Sequence, residues 1–146
     1  MILKKHFQGR GAVMNELDKN MRLTSQRQVI LEELRKVKSH PTANEVYDMV
    51  RKRLPRIGLG TVYRNLDLLA EKGAIRKLEV GGEQKRFDGD TSLHYHIRCV
   101  ECNRVEDVFI ARQQDLEKNA ASCCNYKILG HHVQFSGICR NCQANA

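Results

Sequence analysis

The sequence predicts an α+β protein with an N-terminal winged helix-turn-helix and a smaller C-terminal α/β domain. Three observations predict this fold: three helix-like segments precede a β-hairpin pattern, two CxxC pairs lie in the last third of the chain, and the positive charge is unevenly distributed. Residues 1–87 carry 19 Lys and Arg against 10 Asp and Glu, a net charge of +9, whereas residues 88–146 carry 6 against 7, a net charge of −1. A basic module therefore precedes a nearly neutral one.

Three segments combine helical apolar spacing with capping residues. Thr24 is the predicted N-cap of a helix over residues 25–37, and Thr42 begins the next helix with a capping box that Glu45 completes. A third helix is predicted over residues 60–72 and ends at a glycine. Its inward face carries three apolar residues at helical spacing, which are Val62, Leu66 and Leu69.

The strand predictions begin with a hairpin, in which residues 74–80 and 83–88 flank the turn pair Gly81-Gly82. The second domain is predicted to contain strands around the first CxxC pair, a helix over residues 112–122 and a strand over residues 126–139. The predicted organisation is a loose tail over 1–13, a winged-helix domain over 14–87 that becomes helical from Asn15, a turn-rich linker over 88–93 and a second domain over 94–146.

Composition excludes a membrane-spanning protein and favours a reducing compartment. No apolar run approaches the roughly 20 residues that cross a bilayer, and the N-terminal apolar stretch is too short and interrupted for a signal peptide. Six cysteines without an export signal are typical of thiols that bind metal or stay reduced. We therefore expect a cytoplasmic protein without a membrane partner.

The two CxxC pairs are the most specific local signal, because four thiolates complete the tetrahedral shell that Zn(II) favours. The predicted ligands are Cys99, Cys102, Cys139 and Cys142. The alternative is two unrelated pairs, one of them redox-active, and it is disfavoured because neither pair is predicted to open a helix after a strand. A closed four-thiolate site has no open position for substrate, so the predicted zinc site is structural.

Histidines and carboxylates form a second candidate cluster. His94 and His96 alternate on a predicted strand and share one face, Asp88 precedes them, and Asp107 lies on the following strand. Two imidazoles with carboxylates are typical ligands of non-haem Fe(II) or Mn(II). The alternatives are that the histidines are exposed, that Asp88 is only a turn residue, and that His40 is a surface histidine beside a helix.

The third helix favours DNA binding. Polar and basic side chains near its N-terminal end are in the position from which recognition helices reach base edges. The predicted DNA-binding residues are Thr61, Tyr63, Arg64 and Asn65, together with Arg22 and Arg27 at the first helix. Basic residues of the second helix and the wing, including Arg86, are predicted to contact phosphates. The alternative is a solvated basic face, which the coincidence of charge, three helices and a hairpin disfavours.

The ordered segments LTSQR, SHPTANEVY, TVYRNLDLLAEKG, RFD, HYHIRCVEC and GICRNC resemble the ferric uptake regulator (Fur) family, and most of all its peroxide-stress repressor (PerR) branch. The resemblance covers nearly all of the chain from Asn15. It implies a homodimeric repressor that binds double-stranded operator DNA and is not an enzyme, with a second domain for dimerisation. It also implies structural zinc on the four cysteines and regulatory Fe(II) or Mn(II) on five ligands, His40, Asp88, His94, His96 and Asp107.

The branch assignment depends on a few positions. Asp88 and Asp107 resemble the aspartates of peroxide sensors, whereas the iron-sensing branch usually has glutamates there. Residues 93–96 read LHYH where the iron branch reads HHDH, and Gln114 replaces the glutamate partner of an additional metal site. Arg64, in contrast, is typical of the iron-responsive branch.

For function, the resemblance implies that bound Fe(II) lets hydrogen peroxide oxidise a ligand histidine, His40 or His94, after which metal and operator DNA are released. Mn(II) would support DNA binding without this oxidation. One alternative is an iron-responsive repressor with Fe(II) as co-repressor. A zinc enzyme is a third hypothesis, which the closed four-thiolate site disfavours.

The resemblance leaves His131 as the one remaining match to the additional metal site of the iron branch, whereas His132 and the adjacent Cys123 and Cys124 have no role in these predictions. A thiol-based sensor is a possible alternative for the two cysteines. We favour a structural role, in which one of them is a small apolar core residue.

Overall fold

The computed structural model describes residues 21–80 and 84–145. Its first domain contains three helices, α1 (Ser25–Lys36), α2 (Ala43–Val50) and α3 (Leu59–Glu71), followed by β1 (Arg76–Leu78) and β2 (Arg86–Asp88). The two strands pair antiparallel, with Lys77 opposite Phe87. The predicted tail, the helical segment from Asn15 to Asn20 and the Gly81-Gly82 turn lie outside the described residues. Three helices followed by a hairpin confirm the predicted winged helix-turn-helix.

The predicted capping residues begin the first two helices. Thr24 Oγ1 accepts a hydrogen bond from the Arg27 N–H at 3.4 Å. At α2, Thr42 Oγ1 accepts from the Glu45 N–H at 3.4 Å, and the Thr42 N–H donates to Glu45 Oε2 at 2.7 Å. The capping box is therefore confirmed. Helix α3 ends before Gly73, whose φ of 74° is in the left-handed region that glycine favours.

Apolar side chains from all three helices and the hairpin form one core in the first domain. The predicted inward residues of α3 are completely buried and pack against residues of α1 and α2. Phe87 contributes from the wing and is buried next to Asp88. The core therefore fixes the position of β2, which is the strand that leads into the second domain. Its apolar members include Met21, Ile30, Leu31, Leu34, Val46, Val50, Ile57, Val62, Leu66, Leu69, Ile75 and Phe87.

The second domain is built on a three-stranded sheet of order β4-β3-β5. Strand β3 (Tyr95–Cys99) pairs antiparallel with β4 (Val105–Val108) and parallel with β5 (Gln134–Gly137). Helix α4 (Gln114–Cys123) lies in the connection between β4 and β5, and α5 (Arg140–Ala144) follows the sheet. Among the described residues of this domain, the buried apolar side chains are those of Tyr95, Cys99 and Val105. The described part of this domain therefore buries few apolar side chains.

Two predictions for the second domain are wrong. Of the strand predicted over residues 126–139, only β5 forms in the described structure, and it pairs with His96 to Cys99 of β3. Helix α5 was not predicted, and it begins directly after Cys139, its N-cap residue. One CxxC pair therefore does open a helix after a strand. No helix in the described parts of the chain is long and apolar enough to cross a membrane.

Candidate metal centres and DNA-binding surface

His40 lies at the corner between α1 and α2, in a backbone conformation that few residues adopt. Its φ is 47°, and its carbonyl accepts a hydrogen bond from Arg86 Nη1 at 3.0 Å. The Phe87 N–H donates to the Pro41 carbonyl at 3.0 Å, so this corner runs along strand β2. His40 is only 2% exposed. The interpretation of His40 as a surface histidine is therefore wrong, because its ring lies against Asp107 and His96 of the second domain.

The structure brings all five predicted regulatory ligands together, with one donor atom of each within 4.8 Å of the others. His40 Nε2 lies 2.6 Å from Asp107 Oδ1. His94 Nε2 lies 3.0 Å from both Asp88 Oδ2 and Asp107 Oδ1. His96 is opposite Asp107 in the β3–β4 register, and its Nε2 lies 3.3 Å from Asp88 Oδ2. Neighbouring ligands of a metal with bonds of about 2.1 Å are separated by about 3 Å, so these spacings fit one ion.

The electrostatics of this cluster also fit a divalent cation. Burial acts to raise the pKa of the Asp88 carboxyl. This effect is outweighed by hydrogen bonds from His96 and the Asp90 N–H and by the charges of His40 and His94, so the pKa of Asp88 is lowered. Asp107 is nearly buried beside the same imidazoles. A metal ion binds the neutral form of an imidazole, so in a metal-bound cluster the two carboxylates would carry two negative charges, which one Fe(II) or Mn(II) ion would balance.

The linker after β2 is held close to helix α1. The Asp90 N–H donates to Asp88 Oδ1 at 2.8 Å, which orients the Asp88 carboxylate. Between them, Gly89 lies so close to α1 that a Cβ atom would be 3.0 Å from Arg35 Cγ and 3.2 Å from its backbone N and Cα. This contact could not be predicted from the sequence, because a single glycine in a turn-rich segment does not indicate which residue it will lie against.

The four predicted zinc ligands also converge, with their sulfur atoms within 4.8 Å of one another. Cys102 Sγ and Cys139 Sγ are 3.8 Å apart. Tetrahedral zinc with Zn–S bonds of about 2.3 Å would separate two sulfurs by about 3.8 Å. The first pair lies on the turn between β3 and β4, where Asn103 has a φ of 61°. The second lies at the start of α5, beside the first because β3 and β5 are parallel neighbours.

The cysteine pKa values show why four thiolates require a cation. Backbone hydrogen bonds from Cys139 and then Cys102 lower the pKa of Cys99 to about 6. The Cys139 sulfur, burial and the sulfurs of Cys102 and Cys99 raise the pKa of Cys142 to about 12. Four thiolates at this spacing would repel one another, and a bound divalent cation removes that repulsion. The donor set therefore fits zinc.

The predicted DNA-binding residues fall into two groups. Tyr63 is 42% exposed at the N-terminal half of α3, and Arg64 is exposed with its Nη2 donating to Thr61 Oγ1 at 3.3 Å. Asn65, in contrast, is 8% exposed, and its side chain does not project toward solvent. Its Oδ1 accepts from Arg27 Nε at 3.0 Å, and its Nδ2 donates to the Thr61 carbonyl at 2.9 Å.

Basic residues near this surface also divide into exposed and internally bonded ones. Arg22 is exposed, and its carbonyl accepts a hydrogen bond from Arg27 Nη1 at 2.7 Å. Arg86, predicted to contact phosphates, is half-buried and donates to the His40 carbonyl. Its contribution to the wing is therefore structural.

Sequence comparison matches the profile of the Ferric uptake regulator family to residues 18–136. This match covers most of the chain. It includes the His/Asp cluster and the first cysteine pair, whereas Cys139 and Cys142 lie just beyond it. The chain belongs to the ferric uptake regulator family. Members of the family are metal-responsive transcriptional regulators rather than enzymes, and the family assignment therefore excludes the zinc-enzyme hypothesis.

Individual Fur-family proteins support the same assignment. The chain is 33% identical over 123 residues to the Peroxide-responsive repressor PerR of Staphylococcus aureus (strain USA300), covering 84% of this chain and 83% of the relative. It is similar to the Campylobacter jejuni peroxide stress regulator, with a TM-score of 0.70, 27% identity and coverage of 88% and 98% of the two chains. The Helicobacter pylori ferric uptake regulator Fur, with a TM-score of 0.78, 19% identity and coverage of 95% and 97%, shows the shared fold.

The remaining candidate residues have contacts that the sequence did not reveal. In this Fur-family protein, His131 Nε2 lies 2.8 Å from the Tyr95 hydroxyl, and His131 Nδ1 lies 3.2 Å from Glu117. His132 is exposed. Cys123 and Cys124 are both free and exposed, so the prediction of a buried core cysteine is wrong. They lie at the C-terminal end of α4, whose residues are not buried.

Proposed function

We propose that this chain is a metal-dependent repressor that releases operator DNA when hydrogen peroxide oxidises a ligand histidine, His40 or His94. The observation that carries the proposal is the composition of the five-ligand cluster. His40 belongs to the helical domain, whereas His94, His96 and Asp107 belong to the second domain. One ion bound by all of them would fix the angle between the DNA-binding surface and the sheet.

The proposed coupling between metal and DNA follows from this division of ligands. In a homodimer with a fixed domain angle, two α3 helices could enter major grooves about 34 Å apart. Metal and operator would then favour the same closed state, with a reciprocal coupling of about 1–3 kcal/mol. Exposed Tyr63, Arg64 and Arg22 are the proposed DNA contacts, with Thr61 beside them, whereas Asn65 acts through Arg27.

The proposed peroxide step changes the ligand rather than the protein backbone. Bound Fe(II) supplies the reducing chemistry that cleaves hydrogen peroxide, whereas Mn(II) and Zn(II) do not. In the net reaction, one peroxide oxygen replaces the hydrogen of an imidazole C–H bond, and the other oxygen leaves as water. The oxidised ring carries a carbonyl group and a hydrogen on each nitrogen. No nitrogen lone pair remains to bind metal, so His40 or His94 is lost as a ligand.

Structural zinc and dimerisation complete the proposal. Zn(II) on the four cysteines would connect the β3–β4 turn to the start of α5. The second domain exposes large apolar side chains that a second copy could cover, including Ile110, Leu129, Phe135 and Ile138. The free state of all six cysteines is consistent with the cytoplasmic location expected from the sequence.

Peptide mass spectrometry of the Fe(II) and Mn(II) forms tests the peroxide step. After peroxide treatment and trypsin, we expect one added oxygen on SHPTANEVYDMVR or FDGDTSLHYHIR in the Fe(II) form alone. Fragmentation must place the oxygen on His40 or His94, because Met49 also oxidises readily. The peptide ILGHHVQFSGICR is the internal control, since His131 and His132 lie outside the cluster. Equal oxidation of all histidine peptides would contradict site-directed chemistry.

An iron-responsive repressor is the second candidate function, and Arg64 at the exposed end of α3 is the residue that favours it. This alternative predicts that Fe(II) supports operator binding and that peroxide leaves the Fe(II)-loaded histidines unmodified. The same mass spectrometry experiment therefore separates the two functions.

A further inference from the structure

His94 differs from an ordinary histidine ligand in the environment of its second nitrogen. The side chain is 1% exposed, and its Nε2 faces both carboxylates. Its Nδ1 is buried and has no hydrogen-bond partner among the described residues. A metal-binding histidine usually donates its second N–H to an acceptor, and this hydrogen bond fixes the ring orientation. The orientation of His94 must therefore depend on packing.

The rings of His96, at a centroid distance of 4.6 Å, and Phe109 provide that packing, and Phe109 also contacts the other domain. It follows Asp107 by two residues, and its ring centroid lies 5.6 Å from that of His94 with an interplanar angle of 38°. Lys38, two residues before His40, places its Nζ 5.6 Å from the centroid of the same ring. This distance is within the range of a cation–π interaction. Lys38, Phe109 and His94 thus form a stack that crosses the domain boundary, although Phe109 itself is 67% exposed.

We propose that Phe109 is a positioning residue for His94 and that its contact with Lys38 is a latch between the two domains. The inference rests on the proposed function, because it assigns the latch to the metal-bound, DNA-binding state. Phe109 orients the imidazole in place of a hydrogen bond, and Lys38 attaches the helical domain to the same ring. Metal binding and domain closure then stabilise each other through residues that are not themselves ligands.

The latch also connects oxidation of His94 to domain release. An oxidised imidazole gains a carbonyl oxygen and an additional N–H, and the face of Phe109 offers neither a donor nor an acceptor of ordinary strength. Burial of unpaired polar groups is unfavourable, so the oxidised ring would move out of the cluster. When the oxidised His94 ring leaves, Phe109 loses the ring that it packs against. The Phe109 ring then separates from Lys38.

A double-mutant cycle in the full-length, zinc-loaded protein tests the latch. Mn(II) affinity is measured from free Mn(II) by electron paramagnetic resonance for wild type, Lys38→Met, Phe109→Leu and the double variant. An exposed cation–π contact corresponds to a factor of about two to five in affinity. We expect Lys38→Met to weaken Mn(II) binding by that factor and Phe109→Leu to weaken it more. In the Phe109→Leu background, Lys38→Met should have no further effect.

Matched controls separate the latch from general effects of charge and apolar surface. Lys127→Met removes the same charge from an exposed lysine outside the clusters, and Tyr126→Leu removes an exposed aromatic ring. Both should bind Mn(II) as wild type does. Lys38→Arg, which keeps the cation, should restore the affinity that Lys38→Met loses. The latch would be overturned if the two substitutions changed Mn(II) affinity by independent, multiplicative factors. It would also be overturned if Lys38→Met bound Mn(II) as tightly as wild type does.

The cycle uses Mn(II), which does not require oxidation, so its result is separate from the peroxide step. A coupled cycle together with no histidine oxidation in the Fe(II) form would support the latch and refute the proposed peroxide sensing. Histidine oxidation with an uncoupled cycle would overturn the latch alone. If Phe109→Leu does not fold, the comparison of Lys38→Met with Lys38→Arg and Lys127→Met decides, because Lys38 is exposed.

Discussion

Substitution of Gly89 by alanine should weaken the regulatory metal site without touching a ligand. The new Cβ would lie 3.2 Å from the backbone N and Cα of Arg35, which belong to helix α1. Carbon atoms at ordinary contact are about 3.5–4.0 Å apart, so the linker would have to move by about 0.3–0.8 Å. Helix backbone does not move aside as a flexible side chain does, and the displacement therefore falls on the linker and on Asp88.

The magnitude follows from what Asp88 contacts. Its Oδ2 lies 3.0 Å from His94 Nε2 and 3.3 Å from His96 Nε2, and a shift of this size disturbs both spacings. Introducing a methyl group into a packed contact costs about 1–3 kcal/mol. If the whole cost falls on the metal-bound state, the Mn(II) dissociation constant rises about 5- to 150-fold.

The assay is Mn(II) titration of the zinc-loaded protein, with operator affinity measured in parallel at saturating Mn(II). Gly130→Ala is the matched control, because a Cβ at Gly130 would meet only side-chain atoms at 3.8 and 3.9 Å, which is ordinary contact. It should bind Mn(II) normally. Wild-type Mn(II) affinity in Gly89→Ala would refute the argument that contact with α1 fixes Asp88.

Three further predictions concern the caps, the DNA surface and zinc. Thr42→Ala removes the α2 capping box and should lower the free energy of unfolding by about 1 kcal/mol in urea titrations. Asn65→Ala leaves Arg27 Nε without its acceptor and should lower both operator affinity and stability, the latter by about 1–3 kcal/mol. Weaker DNA binding at unchanged stability would instead indicate a direct base contact. Cys142→Ser should reduce zinc content from about one ion per chain to almost none, whereas Cys123→Ser should keep zinc, both measured by elemental analysis.

Patterns with a period of three to four residues allowed the first domain to be predicted. Thr24 and Thr42 cap their helices as their positions predict, and the inward residues of α3 are buried. The same spacing also indicates that Asn65 is buried, although its polar side chain led us to place it on the DNA-binding surface. It lies three residues after Val62 and four before Leu69, so it shares their buried face.

The convergence of both candidate ligand clusters could be predicted, but the residues that pack around them could not. Cysteine, histidine and aspartate in characteristic spacing are chemically specific, whereas lysine and phenylalanine occur anywhere on a surface. Lys38 and Phe109 meet only because β4 returns Asp107 to the corner that contains His40. Helix α5 escaped prediction for a different reason, since five residues are too few to show apolar periodicity.

The parallel pairing of β3 with β5 determines when the second domain can fold during synthesis. Cys99 and Cys102 are translated well before Cys139 and Cys142, and at about 5–20 residues per second the 40 residues from Cys99 to Cys139 take about 2–8 s. During that interval the first domain can already form its core, because that core needs only residues up to Phe87. The nascent chain thus forms its winged helix before it can complete either the four-cysteine cluster or the sheet around it.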